Sequence, residues 1–129
     1  METNITDISP KTNLVVVGVS TDPKKYGYKI FTSLVEAGYQ VKGINPKGGE
    51  VAGKILFKSL ADLPTVPEVV ITVVPPKVTM EIIKICQELK VPTIWMQPGS
   101  SSDETIEMAK SAGLKVISNT CFMIQKNIW

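Results

Sequence analysis

The sequence NLVVVGVS, residues 13–20, runs through four aliphatic residues in a row and then reaches Gly18 and Ser20. Because apolar and polar residues do not alternate, we expect a strand covered on both faces, as in a parallel sheet. A polar loop, STDPKKY, follows at residues 20–26, and a helical pattern begins near Gly27. A strand, a glycine-containing turn and a helix N-terminus together form a corner suited to phosphate. The first turn of any α/β domain has the same parts, so other residues must decide what binds there.

The rest of the chain alternates between strand and helix patterns. The predicted strands are residues 13–19, 39–45, 51–57, 69–74, 91–97 and 114–118, and the predicted helices are residues 27–37, 78–90 and 101–112, with one helical turn at 59–63. Residues 1–12 are expected to form a short helix or an N-terminal arm, and residues 119–129 are a tail without a recognisable pattern. An S-x-x-E capping box at Ser101–Glu104 predicts the start of the third helix.

This alternation predicts the fold class. A helix between two strands that are close in sequence requires a right-handed crossover and therefore a parallel sheet. We predict a Rossmann-like α/β fold, a doubly wound parallel sheet with helices on both faces, in one three-layer domain over residues 1–129. The expected strand order is 3-2-1-4-5-6.

The composition of the chain excludes several classes of function. The chain has 129 residues, of which 43% are hydrophobic and 20% charged, as in an ordinary globular domain. No apolar run has the length of a membrane span, and the polar start METNITDIS does not resemble a signal peptide, so the expected compartment is the cytoplasm. A net charge of +2 is too small to indicate nucleic acid binding. The absence of histidine excludes Ser–His and Cys–His nucleophile pairs, histidine bases, histidine metal ligands and phosphohistidine.

Candidate binding residues lie at the carboxyl ends of the predicted strands. In a doubly wound sheet, ligands bind beyond these ends, near the point where the strand order reverses. Every such end here carries glycine, proline or a small polar residue, which allows a ligand to approach the backbone closely. The ends are Gly18-Val19-Ser20, Asn45-Pro46-Lys47, Val74-Pro75-Pro76, Gln97-Pro98-Gly99 and Asn119-Thr120-Cys121.

A dinucleotide site is the first alternative. The motif G-x-G-x-x-G is absent, because Gly18 is followed by VSTDP, and the second strand ends at Asn45 instead of the carboxylate that the ribose of NAD requires. Lys47 favours a phosphate at this position over a bare diol. NADP therefore stays open on these residues alone.

Three further motifs recur in order at the ends of consecutive strands: INPKGG at residues 44–49, VVPP at residues 73–76 and QPG at residues 97–99. With GVSTDPKKYG before them and NTCFMI after them, they make the chain resemble the small stand-alone coenzyme A-binding proteins. The same elements resemble the N-terminal domain of the succinyl-CoA synthetase α subunit. The resemblance extends from about Asn13 to about Ile124, and it implies a Rossmann-like domain that binds coenzyme A (CoA).

The resemblance implies a role for each part of the site. The end of the first strand would hold the pyrophosphate, Lys47 would meet a phosphate, Val74 and Pro75 would flank the adenine, and residues 96–99 would line the path of the pantetheine arm. Many relatives have Arg-Pro in the loop where this chain has PKKYG, and all cations of the chain are lysines, which bind phosphate as point charges. The predicted CoA-binding residues are Gly18, Val19, Ser20, Lys24, Lys25, Tyr26, Gly27, Asn45, Pro46, Lys47, Val74, Pro75, Pro76, Met96, Gln97, Pro98 and Gly99.

The synthetases that this chain resembles use a phosphorylated histidine and further domains to join an acid to the CoA thiol. A chain without histidine cannot inherit that chemistry, and we predict no catalytic residue and no metal site. We therefore expect a non-catalytic module that binds CoA or acyl-CoA, and neither nucleic acid nor membranes. The alternatives are an NAD(P)-binding or redox-linked protein and a regulatory or interaction subunit of an acyl-CoA enzyme. Met123, Ile128 and Trp129 in the tail are candidates for a homodimer contact.

The two cysteines match no metal-ligand spacing. Cys86 lies on the apolar stripe of a predicted helix and is expected in the core. Cys121 follows the last strand, where the pantetheine arm would arrive, and a mixed disulfide between its sulfur and the CoA thiol is one hypothesis. A small residue that is buried or half-buried is the alternative interpretation.

Overall fold

The computed structural model describes residues 8–129 of the chain. Its strands are β1 (Leu14–Val17), β2 (Val41–Ile44), β3 (Glu50–Val51), β4 (Lys54–Ile55), β5 (Val69–Thr72), β6 (Thr93–Met96) and β7 (Lys115–Ile117). Its helices are α1 (Tyr26–Glu36), α2 (Pro76–Leu89), α3 (Asp103–Ser111) and α4 (Phe122–Gln125), with a 3₁₀ turn at Leu60–Asp62. Most of the predicted N-terminal helix or arm lies outside the described residues, and residues 8–12 contain a turn and no helix. None of the described helices has both the length and the apolar character that crossing a bilayer requires.

Five strands form one parallel sheet in the order β2-β1-β5-β6-β7. β1 lies between β2 and β5, in registers that pair Val17 with Ile44 on one side and with Thr72 on the other. The chain leaves β1 toward β2 and then returns to the opposite side of β1, so the strand order reverses there. The carboxyl ends of these three strands therefore lie side by side at the switch point. The predicted Rossmann-like α/β fold is confirmed.

The prediction of one continuous third strand over residues 51–57 was wrong, because the structure has two short strands there, β3 and β4. Ala52 and Gly53 have φ values of 54° and 76° and close a tight turn between β3 and β4, which pair with each other in antiparallel orientation and outside the main sheet. The backbone of this segment pairs with β2 through Phe57, which forms a parallel bridge with Ile44. The expected order 3-2-1-4-5-6 thus holds for five strands, while the third strand is reduced to this bridge.

Two apolar clusters, one on each face of the sheet, join the layers. The cluster under α1 and α4 contains Leu14, Val16, Ile71 and Trp95, and the cluster under α2 and α3 contains Val15, Val17, Val70, Cys86 and Met96. Successive side chains of a strand point to opposite faces, so one uninterrupted aliphatic run contributes to both clusters. The predicted strand with two covered faces, and the predicted core position of Cys86, are confirmed.

The tail, whose conformation the sequence left open, contains α4 and folds back onto α1. Met123 is fully buried in the cluster under α1, and Ile128 packs against the same cluster. Trp129 donates a hydrogen bond from Nε1 to the Ser33 Oγ at 3.0 Å, and its ring meets the edge of the Tyr26 ring with the centroids 5.8 Å apart. The three tail residues named for a homodimer contact thus make contacts within their own chain.

The capping box of α3 lies one position later than predicted. The Ser102 hydroxyl accepts a hydrogen bond from the Thr105 N–H at 3.1 Å, and the Thr105 hydroxyl accepts one from the Ser102 N–H at 2.8 Å. The reciprocal pair is therefore Ser102 and Thr105, and the predicted pair Ser101–Glu104 was wrong. A threonine hydroxyl serves here in the role usually taken by glutamate.

Candidate functional site at the carboxyl edge of the sheet

The end of β1 and the start of α1 are in direct contact. Gly18 has a φ of 104°, and a Cβ placed on it would lie 2.3 Å from the Val73 carbonyl oxygen. A Cβ placed on Gly27, in the first turn of α1, would lie 2.0 Å from the Gly18 carbonyl oxygen. Neither position has room for a side chain. The two glycines thus bring the N-terminus of α1 against the strand end, a close approach that G-x-G-x-x-G achieves with a shorter spacing.

The N-terminus of α1 has no side-chain cap. Its N-cap residue, Lys25, makes no side-chain hydrogen bond to the helix, and the first turn contains no acidic residue. In α3, by contrast, the Ser102 box and two acidic residues occupy the same positions. The first backbone bond to the N-cap carbonyl of α1 comes from the Lys29 N–H at 3.3 Å. Unpaired amide groups and the positive end of the helix dipole therefore favour an anion at this corner.

The loop before α1 is built from its own turns. The Ser20 Oγ accepts a hydrogen bond from the Asp22 N–H at 3.0 Å, and the Asp22 Oδ1 accepts one from the Lys24 N–H at 2.9 Å. The Ser20 hydroxyl proton remains available to donate. Lys24 and Lys25 are exposed, as is Lys47 on the turn after β2, and none of the three borders a cavity described below.

Asn45 joins the end of β2 to this loop. Its Nδ2 donates to the Val19 carbonyl oxygen at 2.8 Å, and its Oδ1 accepts from the Lys47 N–H at 2.8 Å. Beyond them, a Cβ on Gly49 would lie 3.0 Å from the Thr21 Cγ2, so the two loops also touch there. The asparagine that stands in place of a ribose-binding carboxylate therefore positions the two loops against each other.

A cavity of about 200 Å³ opens between the ends of β1 and β2 and the first half of α2. Its lining is Val17, Gly18, Ile44, Pro46, Lys58, Ser59, Leu60, Val74, Val78, Glu81, Ile82 and Ile85. Three of the predicted residues, Gly18, Pro46 and Val74, come together here. Most of the lining is apolar with a few polar groups at its rim, which suits a flat heteroaromatic base.

Three polar residues of this lining, Lys58, Ser59 and Glu81, were not predicted. Lys58 and Ser59 follow Phe57, and the bridge from Phe57 to β2 places them beside the end of that strand. No local sequence pattern indicates this bridge. Glu81 is an exposed residue of α2 that also borders the cavity. Its spacing of four residues from Ile85 was the available signal, because residues so spaced share a helix face.

A second cavity, of about 210 Å³, adjoins the first at Val74. Buried hydrogen bonds fix Ser100, one of its lining residues. The hydroxyls of Thr72 and Ser100 share a hydrogen bond of 2.8 Å, and the Thr79 Oγ1 donates to the Ser100 carbonyl oxygen at 2.8 Å. The loops after β5 and β6 are thereby tied together beside α2, which begins at Pro76. The lining is Val73, Val74, Pro75, Pro98, Gly99 and Ser100.

Met96 and Gln97, predicted along the pantetheine path, are fully buried. Met96 belongs to the core cluster under α2 and α3. The Gln97 Nε2 donates to the Tyr26 hydroxyl at 3.0 Å and to the Cys121 Sγ at 3.5 Å, and its Oε1 accepts from the Phe122 N–H at 2.7 Å. Neither residue belongs to the lining of the two cavities at the carboxyl edge of the sheet, so the contact with a pantetheine arm stays a prediction.

The Tyr26 hydroxyl and the Cys121 sulfur share a hydrogen bond of 3.5 Å. Burial, together with the bond to Cys121, raises the pKa of Tyr26 to about 12. Burial also raises the pKa of Cys121, but hydrogen bonds from Tyr26, Gln97 and two amide groups of α4 outweigh it, so the pKa is lowered. Cys86, in the core, has its pKa raised to about 12 by burial. The pKa of Cys86 is therefore higher, and the pKa of Cys121 lower, than that of an ordinary cysteine.

A larger cavity, of about 500 Å³, lies between β2 and the β3–β4 hairpin. Its lining is Gln40, Val41, Lys42, Gly53, Lys54, Ile55 and Phe57, none of which is a predicted binding residue. Because ligands of doubly wound sheets bind beyond the carboxyl ends of the strands at the switch point, the two smaller cavities and the corner at α1 define the candidate site.

Known proteins are similar to this chain in sequence and in fold. A family model described as CoA binding domain matches residues 12–127. The acetate–CoA ligase (ADP-forming) II subunit alpha of Pyrococcus furiosus is 30% identical over 119 residues, which cover 84% of this chain and 26% of that protein, so the chain spans about a quarter of its length. The uncharacterized protein YneT of Bacillus subtilis is 24% identical over 111 residues, 86% of this chain and 82% of that protein. A solved structure of a conserved hypothetical protein from Pyrococcus furiosus matches with a TM-score of 0.84 and 32% identity, over 88% of this chain and 98% of that chain.

Proposed function

This chain belongs to the CoA-binding domain family, and from that membership we propose that it binds CoA or an acyl-CoA at the carboxyl edge of its sheet. The observation that supports the proposal most strongly is the uncapped N-terminus of α1, held against the end of β1 by Gly18 and Gly27. Such a corner stabilises a pyrophosphate, because unpaired amide groups and the helix dipole both favour negative charge.

In this proposal, the parts of CoA follow the order of the strand ends. The pyrophosphate lies at residues 18–20 and at the first turn of α1, where the Ser20 hydroxyl adds a donor. The adenine enters the apolar cavity between Val74 and Pro46, and the pantetheine arm runs toward the cavity beside Pro98. The two cavities share Val74, so one continuous ligand can occupy both.

The sizes of the cavities favour an extended ligand. They measure about 200 and 210 Å³, whereas pockets that enclose a small molecule measure roughly 300–1,000 Å³. Neither cavity therefore encloses a whole CoA molecule. A ligand that inserts its base into one cavity and lays the rest along the loops fits better.

We propose binding without catalysis. The sequence has no histidine to carry a phosphoryl group. The ligase that this chain resembles is matched over only 26% of its length, so its activity is not carried over to this chain. Binding and presentation of the coenzyme then account for the site described here.

Isothermal titration with CoA, acetyl-CoA, NAD and NADP tests this function. We expect saturable heat with CoA and acetyl-CoA, and affinity for NAD and NADP that is lower by about tenfold or more, equivalent to about 1.4 kcal/mol. No heat with CoA at high micromolar concentration would contradict the proposal. Tighter binding of NADP than of CoA would favour the dinucleotide alternative.

A Ser20→Ala variant tests whether the pyrophosphate of CoA lies at the end of β1. Loss of a hydroxyl donor to a charged phosphate removes about 1.5–3 kcal/mol where the bond is well formed, so CoA affinity falls by about tenfold or more. Ser111→Ala, at an exposed position at the end of α3, is the matched control and leaves affinity unchanged. Equal affinities for the two variants would remove Ser20 from the site.

A further inference from the structure

Lys58 occupies the place where the carboxyl end of a third parallel strand would lie. The Phe57 N–H donates to the Gly43 carbonyl oxygen at 2.9 Å, and the Phe57 carbonyl oxygen accepts from the Asn45 N–H at 2.9 Å. These two bonds extend the sheet by one residue beyond β2. The next residue in the chain, Lys58, therefore lies at the same edge as the other strand ends and borders the apolar cavity.

The Lys58 side chain runs along the turn after β2. A Cβ on Gly48 would lie 3.5 Å from the Lys58 Cε and 3.9 Å from its Cγ, so the aliphatic stem packs over this glycine. The neighbouring Gly49 lies against Thr21, in the loop before α1. The turn at residues 48–49 thus contacts both the Lys58 stem and the loop of the proposed pyrophosphate corner.

The lining of the apolar cavity contains one cation and one anion. The ionisable residues of its lining are Lys58, beside Pro46, and Glu81, on α2 beside Ile85. Lys47, the cation expected to meet a phosphate, and Lys58 are both exposed, but Lys47 is absent from the lining. In the described part of the chain, the Lys58 ammonium forms no ion pair or hydrogen bond.

We infer that Lys58 binds the phosphate on the ribose of CoA and thereby distinguishes CoA from dephospho-CoA. This inference rests on the proposed function, since it assigns one phosphate of the same ligand. With the base in the apolar cavity and the pyrophosphate at α1, the ribose lies over the turn that separates them. A ribose phosphate then falls on the side of the turn where Lys58 lies, and the ammonium neutralises it as a point charge.

A ligand-by-variant comparison tests the inference. Isothermal titration measures the affinities of CoA and dephospho-CoA for the wild type, Lys58→Gln, Lys58→Arg and Lys54→Gln. Lys54 is the matched control, because it is exposed in the nearby hairpin and borders only the larger cavity. We expect the wild type to favour CoA, Lys58→Gln to lower that preference by about fivefold to tenfold, and Lys58→Arg to retain most of it. Affinity for dephospho-CoA stays unchanged throughout, and the preference decreases with added salt.

The outcomes separate this inference from the proposed function. If the wild type binds both ligands equally, or if Lys58→Gln keeps the wild-type preference, the inference is wrong while CoA binding stands. A parallel Lys47→Gln variant that alone removes the preference would likewise overturn it and assign the phosphate to Lys47. Binding of neither ligand by the wild type would overturn both proposals.

Discussion

Gly18 and Gly27 are separated by eight residues in the sequence, yet the Gly18 carbonyl oxygen lies 2.0 Å from where a Gly27 Cβ would be placed. A dinucleotide fingerprint brings its glycines together over six positions. The longer loop of this chain reaches the same close contact between helix and strand, and it leaves room for two lysines on its exposed side. The absence of G-x-G-x-x-G therefore reflects a different loop length at an equivalent corner.

Substitution of Gly27 by alanine tests this contact. In an ordinary helix interior the change stabilises a protein by roughly 0.5–1 kcal/mol. Here the added Cβ meets backbone, and overpacking of this kind costs about 1–3 kcal/mol. We expect Gly27→Ala to lower the free energy of unfolding in a urea titration, while Lys29→Ala, at an exposed position of α1, stays within about 0.5 kcal/mol of the wild type. A Gly27→Ala variant more stable than the wild type would contradict the contact.

The two thiols are expected to react at different rates. The pKa of Cys86 is raised to about 12, so at pH 8 this side chain is almost entirely protonated, and it is fully buried. Cys121 is also buried, with 9% of its surface exposed, but its lowered pKa increases its thiolate fraction at the same pH, and the thiolate is the nucleophile. Limited treatment with iodoacetamide followed by peptide mass spectrometry should therefore label Cys121 before Cys86.

A Tyr26→Phe variant refines this prediction. Removal of the hydroxyl donor raises the pKa of Cys121, so labelling of Cys121 should require higher pH than in the wild type. Tyr28→Phe, on the same helix, is the control and leaves the pH dependence unchanged. Equal labelling of both cysteines in the folded wild type would be inconsistent with the described environment. The mixed disulfide with the CoA thiol stays a separate prediction, tested by intact mass after incubation with oxidised CoA.

A hydrogen bond connects the first turn of α2 to the loop after β6. The Thr79 hydroxyl donates to the Ser100 carbonyl oxygen, which no other described group contacts by a hydrogen bond. Thr79→Val keeps the volume but leaves this buried carbonyl unsatisfied, at a cost of about 1–3 kcal/mol. Thr79→Ser keeps the hydroxyl and loses only a methyl group. We expect the valine variant to unfold at lower urea concentration than the serine variant; the reverse order would show that the bond contributes nothing.

The strands that consist mainly of apolar residues were predictable from the sequence, and the hairpin at residues 50–55 was not. β1, β5 and β6 are covered on both faces, and their only polar residues, Thr72 and Thr93, stand at the ends of β5 and β6. In the hairpin, Ala52 adopts a left-handed conformation that non-glycine residues rarely take, and local propensity argues against it. The bridge at Phe57 joins residues distant in sequence, so the position of Lys58 follows from tertiary structure alone.

In the whole molecule, the candidate site lies where the ends of β1, β2, β5 and β6 meet the starts of α1 and α2. Sequence motifs named most of the segments that form it, because glycine and proline mark the ends of strands. They did not distinguish side chains that face a cavity from those that face the core, as Met96 and Gln97 demonstrate. That distinction depends on how each loop turns after its strand. The tail shows the same limit, since α4 is set by its packing on α1 more than by a pattern of its own.

The most direct test of the account is a titration with CoA followed by ¹H–¹⁵N correlation spectra of the assigned protein. The account predicts the largest shifts at the amides of residues 18–20 and 26–28, with further shifts at residues 46–49 and 58–59. Shifts concentrated along the larger cavity, at Lys42, Lys54 and Ile55, would place the ligand elsewhere. A spectrum unchanged at millimolar CoA would contradict the binding function itself.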